Sequence, residues 1–130
     1  MASPEGSGPV PRLVGTIVVA YTRESLPVSW LQVFRRFERT IERAGLDIRV
    51  RLHPIEDLPE RYEVLVVPRE LHAQAERIAR GARLIATTRE DALAAVTVLL
   101  GEIQAGTALR ADPRRPDAPR VVVRRGYEEL

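Results

Sequence analysis

Two uninterrupted apolar runs, Ile17-Val18-Val19-Ala20 and Val64-Leu65-Val66-Val67, constrain the fold of this chain most. Each has the length of a strand rather than of a helix, is rich in β-branched residues, and lacks the polar–apolar alternation of a half-exposed strand. A strand of that kind must be covered on both faces, as in the middle of a parallel sheet flanked by helices. Ile48, Val50 and Leu52 alternate instead with Arg49, Arg51 and His53, which suits a sheet edge. Arg83-Leu84-Ile85-Ala86-Thr87 reads as a fourth, short strand.

Helices are expected between these strands. Trp30, Phe34, Phe37, Ile41 and Ala44 fall on one helical stripe. Ser29, followed three residues later by Gln32, has the spacing of a capping box, with Val28 and Val33 at hydrophobic-staple positions. Gly45 is placed to end the helix and Leu46 to make the accompanying apolar contact. A second helix is expected over roughly 69–80, with Leu71, Ala75 and Ile78 inward and Gly81 as its stop. A third runs to about Ala105 on Leu93, Val96, Leu99, Leu100 and Ile103, opened by Thr88 with Asp91 and closed by Gly106.

The resulting order, β-α-β-β-α-β-α, predicts an α/β, three-layer, doubly wound domain on a four-stranded parallel sheet. With right-handed crossovers and the two most apolar strands in the middle, the spatial order is 2-1-3-4, flavodoxin-like or Rossmann-like in outline. Residues 1–12, rich in Pro, Gly and Ser, are expected to form a flexible N-terminal tail, 13–106 the α/β domain, and 107–130 an Arg- and Pro-rich C-terminal tail. Within that tail Arg120-Val121-Val122-Val123-Arg124-Arg125 has the composition of a short strand able to pair with a free sheet edge, in the same chain or in a second copy.

Composition removes whole classes of chemistry. The chain has no cysteine, and its 20 basic residues are all arginine. Cysteine nucleophiles, thiolate metal sites and disulfides are therefore excluded, as are a P-loop lysine and a Schiff base. No His/Asp/Glu spacing resembles a metal site, and neither a metal nor a cofactor is expected. No apolar run reaches the roughly 18–20 residues that span a bilayer, and the N-terminus lacks the regions of a signal peptide, so a cytoplasmic location without membrane insertion is the expectation. A formal net charge of +2 is too small to argue for nucleic acid, which is not the expected partner. From Thr107 to Gly126, however, six arginines stand against two aspartates.

One further pattern points to a family. A strand ending near Val19-Ala20, a loop, a helix ending Glu42-Arg43-Ala44-Gly45-Leu46, and then Leu58-Pro59-Glu60-Arg61-Tyr62-Glu63-Val64-Leu65-Val66-Val67-Pro68-Arg69-Glu70-Leu71 resemble the IIB domains of bacterial sugar phosphotransferase systems, the mannitol-type branch in particular. The resemblance covers about residues 13–106. In that family a cysteine just after the first strand carries a phosphoryl group to a sugar, and a glycine-rich loop cradles the phosphate. The matching position here is Tyr21, and the loop positions are Thr22 to Ser29. With neither thiol nor glycines, and with Leu26 and Pro27 in the loop, phosphocysteine transfer is excluded. The resemblance then implies a non-catalytic IIB-like regulatory or protein-interaction domain.

The residues themselves offer one binding hypothesis. Arg23-Glu24, Arg69-Glu70 and Arg89-Glu90 each follow a strand, so all three pairs belong at the carboxyl edge of the sheet, where open α/β folds hold ligands. Arg23, Arg69 and Arg89, with Tyr21, Thr22, Ser25 and Ser29 of the first loop, form a candidate site for a small anion or a phosphate-bearing molecule. Against it stands a surface reading, in which each arginine is neutralised by its own glutamate. The expected partners are another protein, a second copy of the chain, or such an anion. Two other function classes stay open: an enzyme of phosphoryl or sugar-phosphate chemistry with a non-cysteine site, and a nucleic-acid accessory protein using the arginine-rich tail.

Overall fold

A computed structural model of the chain describes residues 11–114. Its strands are β1 (Arg12–Leu13), β2 (Thr16–Tyr21), β3 (Arg49–Pro54), β4 (Val64–Pro68), β5 (Arg83–Thr87) and β6 (Leu109–Arg110). Its α-helices are α1 (Val28–Arg43), α2 (His72–Ile78) and α3 (Ala92–Ala105), with a 3-10 turn at Arg69–Leu71 leading into α2. Four strands form one sheet in the order β3-β2-β4-β5, and every neighbouring pair is parallel. The architecture is α/β and compatible with a Rossmann-like or flavodoxin-like fold. No helix among the described residues is long and apolar enough to cross a membrane.

The two apolar runs occupy the middle of this sheet, and alternation of their side chains divides the core. Ile17, Val19, Val64 and Val66 join Trp30, Val33, Phe37 and Ile41 of α1 and Ala92, Val96, Leu99 and Ile103 of α3. Val18, Ala20, Leu65 and Val67 join Ala75 of α2, Ala79 and Ile55. The strands need no polar face because both faces are covered. β3 has one neighbour only, and its Arg49 and Arg51 are exposed. Glu63 ties the start of β2 to the approach of β4: its Oε1 accepts the N–H groups of Gly15 at 2.8 Å and Thr16 at 2.9 Å.

Several local expectations are corrected. α1 begins at Val28 on a Pro27 N-cap, and no side chain caps it. The Pro27 carbonyl accepts the N–H of Trp30 at 3.0 Å and of Leu31 at 3.2 Å, so Pro27, itself extended, serves as the N-cap and the helix opens before Ser29 is reached. Ser29 then lies inside the first turn, the capping box is not made, and Val28 stands 72% exposed instead of stapling to Val33. The segment from Arg69 is a 3-10 turn before it becomes α2, and the helix ends at Ile78, with Arg80 (φ 51°) and Gly81 (φ 86°) both left-handed. Leu93, expected inward, is 51% exposed, and Ala92 takes its place. Gly45 (φ 71°) and Gly106 (φ 68°) do end α1 and α3 in the left-handed region. Thr88 Oγ1 accepts the Asp91 N–H at 3.2 Å ahead of α3.

Packing also extends beyond the expected limits of the domain. Arg12 and Leu13, at the edge of the presumed N-terminal tail, pair in parallel with Leu109 and Arg110. Leu109 is buried, Asp47 N–H bonds the Asp112 carbonyl at 2.8 Å, and Arg114 N–H bonds that of Gly45 at 2.6 Å. The segment after α3 therefore runs back along the end of α1. The proposed strand at 120–125 lies outside the described residues.

Candidate functional site

The carboxyl ends of β2, β4 and β5 are Tyr21, Pro68 and Thr87, and all three line one open pocket of about 510 Å3. Its position follows from the topology: in a parallel sheet every strand runs into its helix from the same edge, leaving a crevice between the loops. The β2–α1 loop supplies Thr22, Ser25, Pro27, Ser29 and Trp30, the β4–α2 loop Glu70 and Leu71, and the β5–α3 loop Thr88, Arg89 and Glu90. Trp30 is buried at the base, where its indole N–H donates to the Ala20 carbonyl at 2.7 Å and pins the first turn of α1 to the end of β2. Ser25 N–H bonds the Thr22 carbonyl at 3.0 Å and closes a tight turn in the loop.

Of the residues expected to gather here, Tyr21, Thr22, Ser25, Ser29 and Arg89 share the pocket; Arg23 and Arg69 are not among its lining. Arg23 turns toward the segment after β3, its backbone N–H on Glu56 at 3.1 Å and its guanidinium 3.5 Å from Asp57. Arg69 bonds Asp91 at 2.9 Å. Arg89 lies 3.4 Å from both Glu90 and the Gln32 side-chain oxygen. The three arginines are each neutralised, but only Arg89 by the glutamate beside it in sequence. Tyr21 is partly buried and packs against the α1–α3 core.

The lining has mixed character. Thr22, Ser25, Ser29, Thr87 and Thr88 line it together with Pro27, Pro68, Leu71 and the aromatic residues Tyr21 and Trp30, and Arg89 stands with Glu70 and Glu90. Because Ser29 does not cap α1, its hydroxyl is free for the pocket, and the N–H groups of Val28 and Ser29 have no partner among the described residues. No cluster of three potential metal-ligating side chains occurs among those residues. Sequence reasoning missed Thr87 and Thr88. Thr87 ends β5 and Thr88 follows it, and the rule that placed the arginines at this edge places these two residues there as well.

No protein-family model matches the chain, and a search of curated proteins likewise finds no match.

Proposed function

We propose that the chain is a non-catalytic, IIB-like binding domain, regulatory or adaptor in role, that holds a small polar ligand at the carboxyl edge of its sheet. The fold reading that accompanies it is a doubly wound, flavodoxin-like domain. The observation that carries the proposal is the pocket of about 510 Å3 at the ends of β2, β4 and β5, within the size range of small-molecule sites. An anionic end, phosphate in the simplest case, is accommodated by the Ser29 N–H group at the start of α1, the Ser29 hydroxyl and Arg89. Glu70 and Glu90 oppose a second negative charge and favour hydroxyl groups, which they and the Thr87 and Thr88 side chains can bond. A sugar monophosphate has this combination of one anionic end and several hydroxyls. The absence of a thiol at position 21 supports binding without phosphoryl transfer.

Amide NMR with sugar phosphates, inorganic phosphate and neutral sugars as probes tests the reading. The expected result is that a sugar phosphate at millimolar concentration shifts the Ser29, Thr88 and Arg89 amides first, and that Ser29→Ala with Thr88→Val weakens binding about tenfold. Shifts confined to residues outside the pocket, or none from any probe, would overturn it.

A further inference from the structure

A second concave surface adjoins that pocket at Arg89, and most of its polar lining is of one kind. A groove of about 450 Å3 runs between the outer face of α1 and the entrance to α3, lined by Gln32, Arg35, Arg36, Arg39, Thr40, Arg43, Arg89 and Ala92. Five of these eight residues are arginines and none is acidic. Arg35, Arg36, Arg39 and Arg43 are exposed, and none of the four forms an ion pair among the described residues. At about 100° per residue they share one side of the helix, with Glu38 and Glu42 beside rather than between them. Arg35 with Arg39, and Arg39 with Arg43, are like-charge neighbours at the four-residue spacing, an arrangement that disfavours an isolated helix. An uncompensated concentration of guanidinium groups in a concave surface is the footprint of a polyanion site.

The lining chooses among polyanions. Arg35, Arg39 and Arg43 rise along α1 by about 6 Å per step, some 12 Å in all, so the charge is a row rather than a point. A row suits a chain of anions spaced along a backbone, and guanidinium forks bind phosphate oxygens two at a time. No aromatic ring lines the groove, so it has no platform on which bases could stack. We propose that the α1 groove binds the sugar–phosphate backbone of a nucleic-acid strand, without reading its sequence. The net charge of +2 conceals this site, because acidic residues elsewhere on the surface cancel the total without entering the groove.

Fluorescence anisotropy with a labelled oligothymidylate of about twelve nucleotides and the full-length chain provides the test. Four neutralised phosphates predict a log–log salt slope of about −3 for a single strand. Arg35→Ala with Arg39→Ala should reduce the magnitude of that slope by about 1.4 and weaken binding at least tenfold at low salt. Neither residue lines the pocket, and alanine favours the helix, so an unchanged urea midpoint separates lost binding from lost folding. Arg39→Lys keeps the charge and should keep the slope. The proposal is overturned if the double variant binds as wild type does, which assigns the binding to arginines elsewhere in the chain. It is equally overturned if polyglutamate of matched charge competes as well as the oligonucleotide, which makes the groove a seat for an acidic protein.

Discussion

The pocket at the sheet edge and the groove on α1 meet at Arg89, which lines both, yet they treat arginine in opposite ways. Around the pocket every arginine has a carboxylate: Asp57 for Arg23, Asp91 for Arg69, Glu90 for Arg89. In the groove Arg35, Arg36, Arg39 and Arg43 have none among the described residues. In a chain whose basic residues are all arginine, residue type cannot distinguish a neutral surface from a charged one; only the placement of acids does. A nearly balanced crevice suits a small ligand with one negative end, and an unbalanced groove suits a chain of them.

The largest effect comes from removing what both sites stand on. Trp30 is buried in the core, hydrogen-bonds the end of β2 and sets the start of α1, on which the pocket and the groove are both built. Trp30→Ala should cost about 3–5 kcal/mol of stability in urea denaturation and remove both binding activities together. Trp30→Phe keeps most of the packing and loses only the indole bond, for about 1–3 kcal/mol. If the alanine variant lost the pocket while the groove retained its affinity, the two regions would not share α1 as a common support.

A smaller effect would erase the contrast instead. Asp57→Asn with Asp91→Asn releases Arg23 and Arg69, both 62% exposed at their side chains, without deleting side-chain volume. Each exposed pair of this kind holds about 1 kcal/mol or less, so losing both should lower stability by no more than about 2 kcal/mol. Phosphate affinity at the pocket should rise about two- to fivefold, while oligonucleotide affinity at the groove, which neither aspartate lines, should not follow. A pocket indifferent to the loss of both acids would show that charge balance does not set its selectivity.

How much of this was legible in the sequence depends on the range of the interactions involved. The central strands were, because Ile17–Ala20 and Val64–Val67 carry their burial in their own composition. The ends of α1 and α3 at Gly45 and Gly106 were, because only a left-handed residue fits there. The start of α1 was misread: Ser29 and Gln32 have capping-box spacing, but the proline two residues before Ser29 opens the helix first. Leu109 and Arg110 were read as tail because a two-residue strand has no periodicity, and its partner lies nearly a hundred residues away at Arg12 and Leu13. The α1 groove was not legible: Arg35, Arg36, Arg39 and Arg43 are interspersed with Glu38 and Glu42 in the sequence, and only the fold gives them a shared concave surface. Arg89, 57 positions from Gln32, closes the groove only once the fold brings the two together.

The smallest effect calibrates the comparison. Arg83 and Glu102 form the most fully made arginine–carboxylate pair outside either site, with Nε on Oε1 at 3.1 Å and a terminal nitrogen on Oε2 at 3.0 Å. The hydrogen bonds from Arg83 hold the Glu102 carboxyl below its ordinary 4.5. Both side chains are more than a third exposed, at 41% and 37%, so water screens the pair and its contribution is about 1 kcal/mol or less. Because the folded-state value is the lower one, this contribution is complete above the unfolded carboxyl range and disappears as the pH falls through the folded value. The urea stability difference between wild type and Glu102→Gln should therefore be constant near neutrality and shrink toward zero below about pH 4. That difference measures what one well-made pair supplies on this surface, and the looser pairs at 3.4–3.5 Å around the pocket should each supply less. A difference that persisted at low pH would mean that Glu102 stabilises through packing rather than charge, and that ion pairing is too weak here to keep the pocket's arginines from an anion.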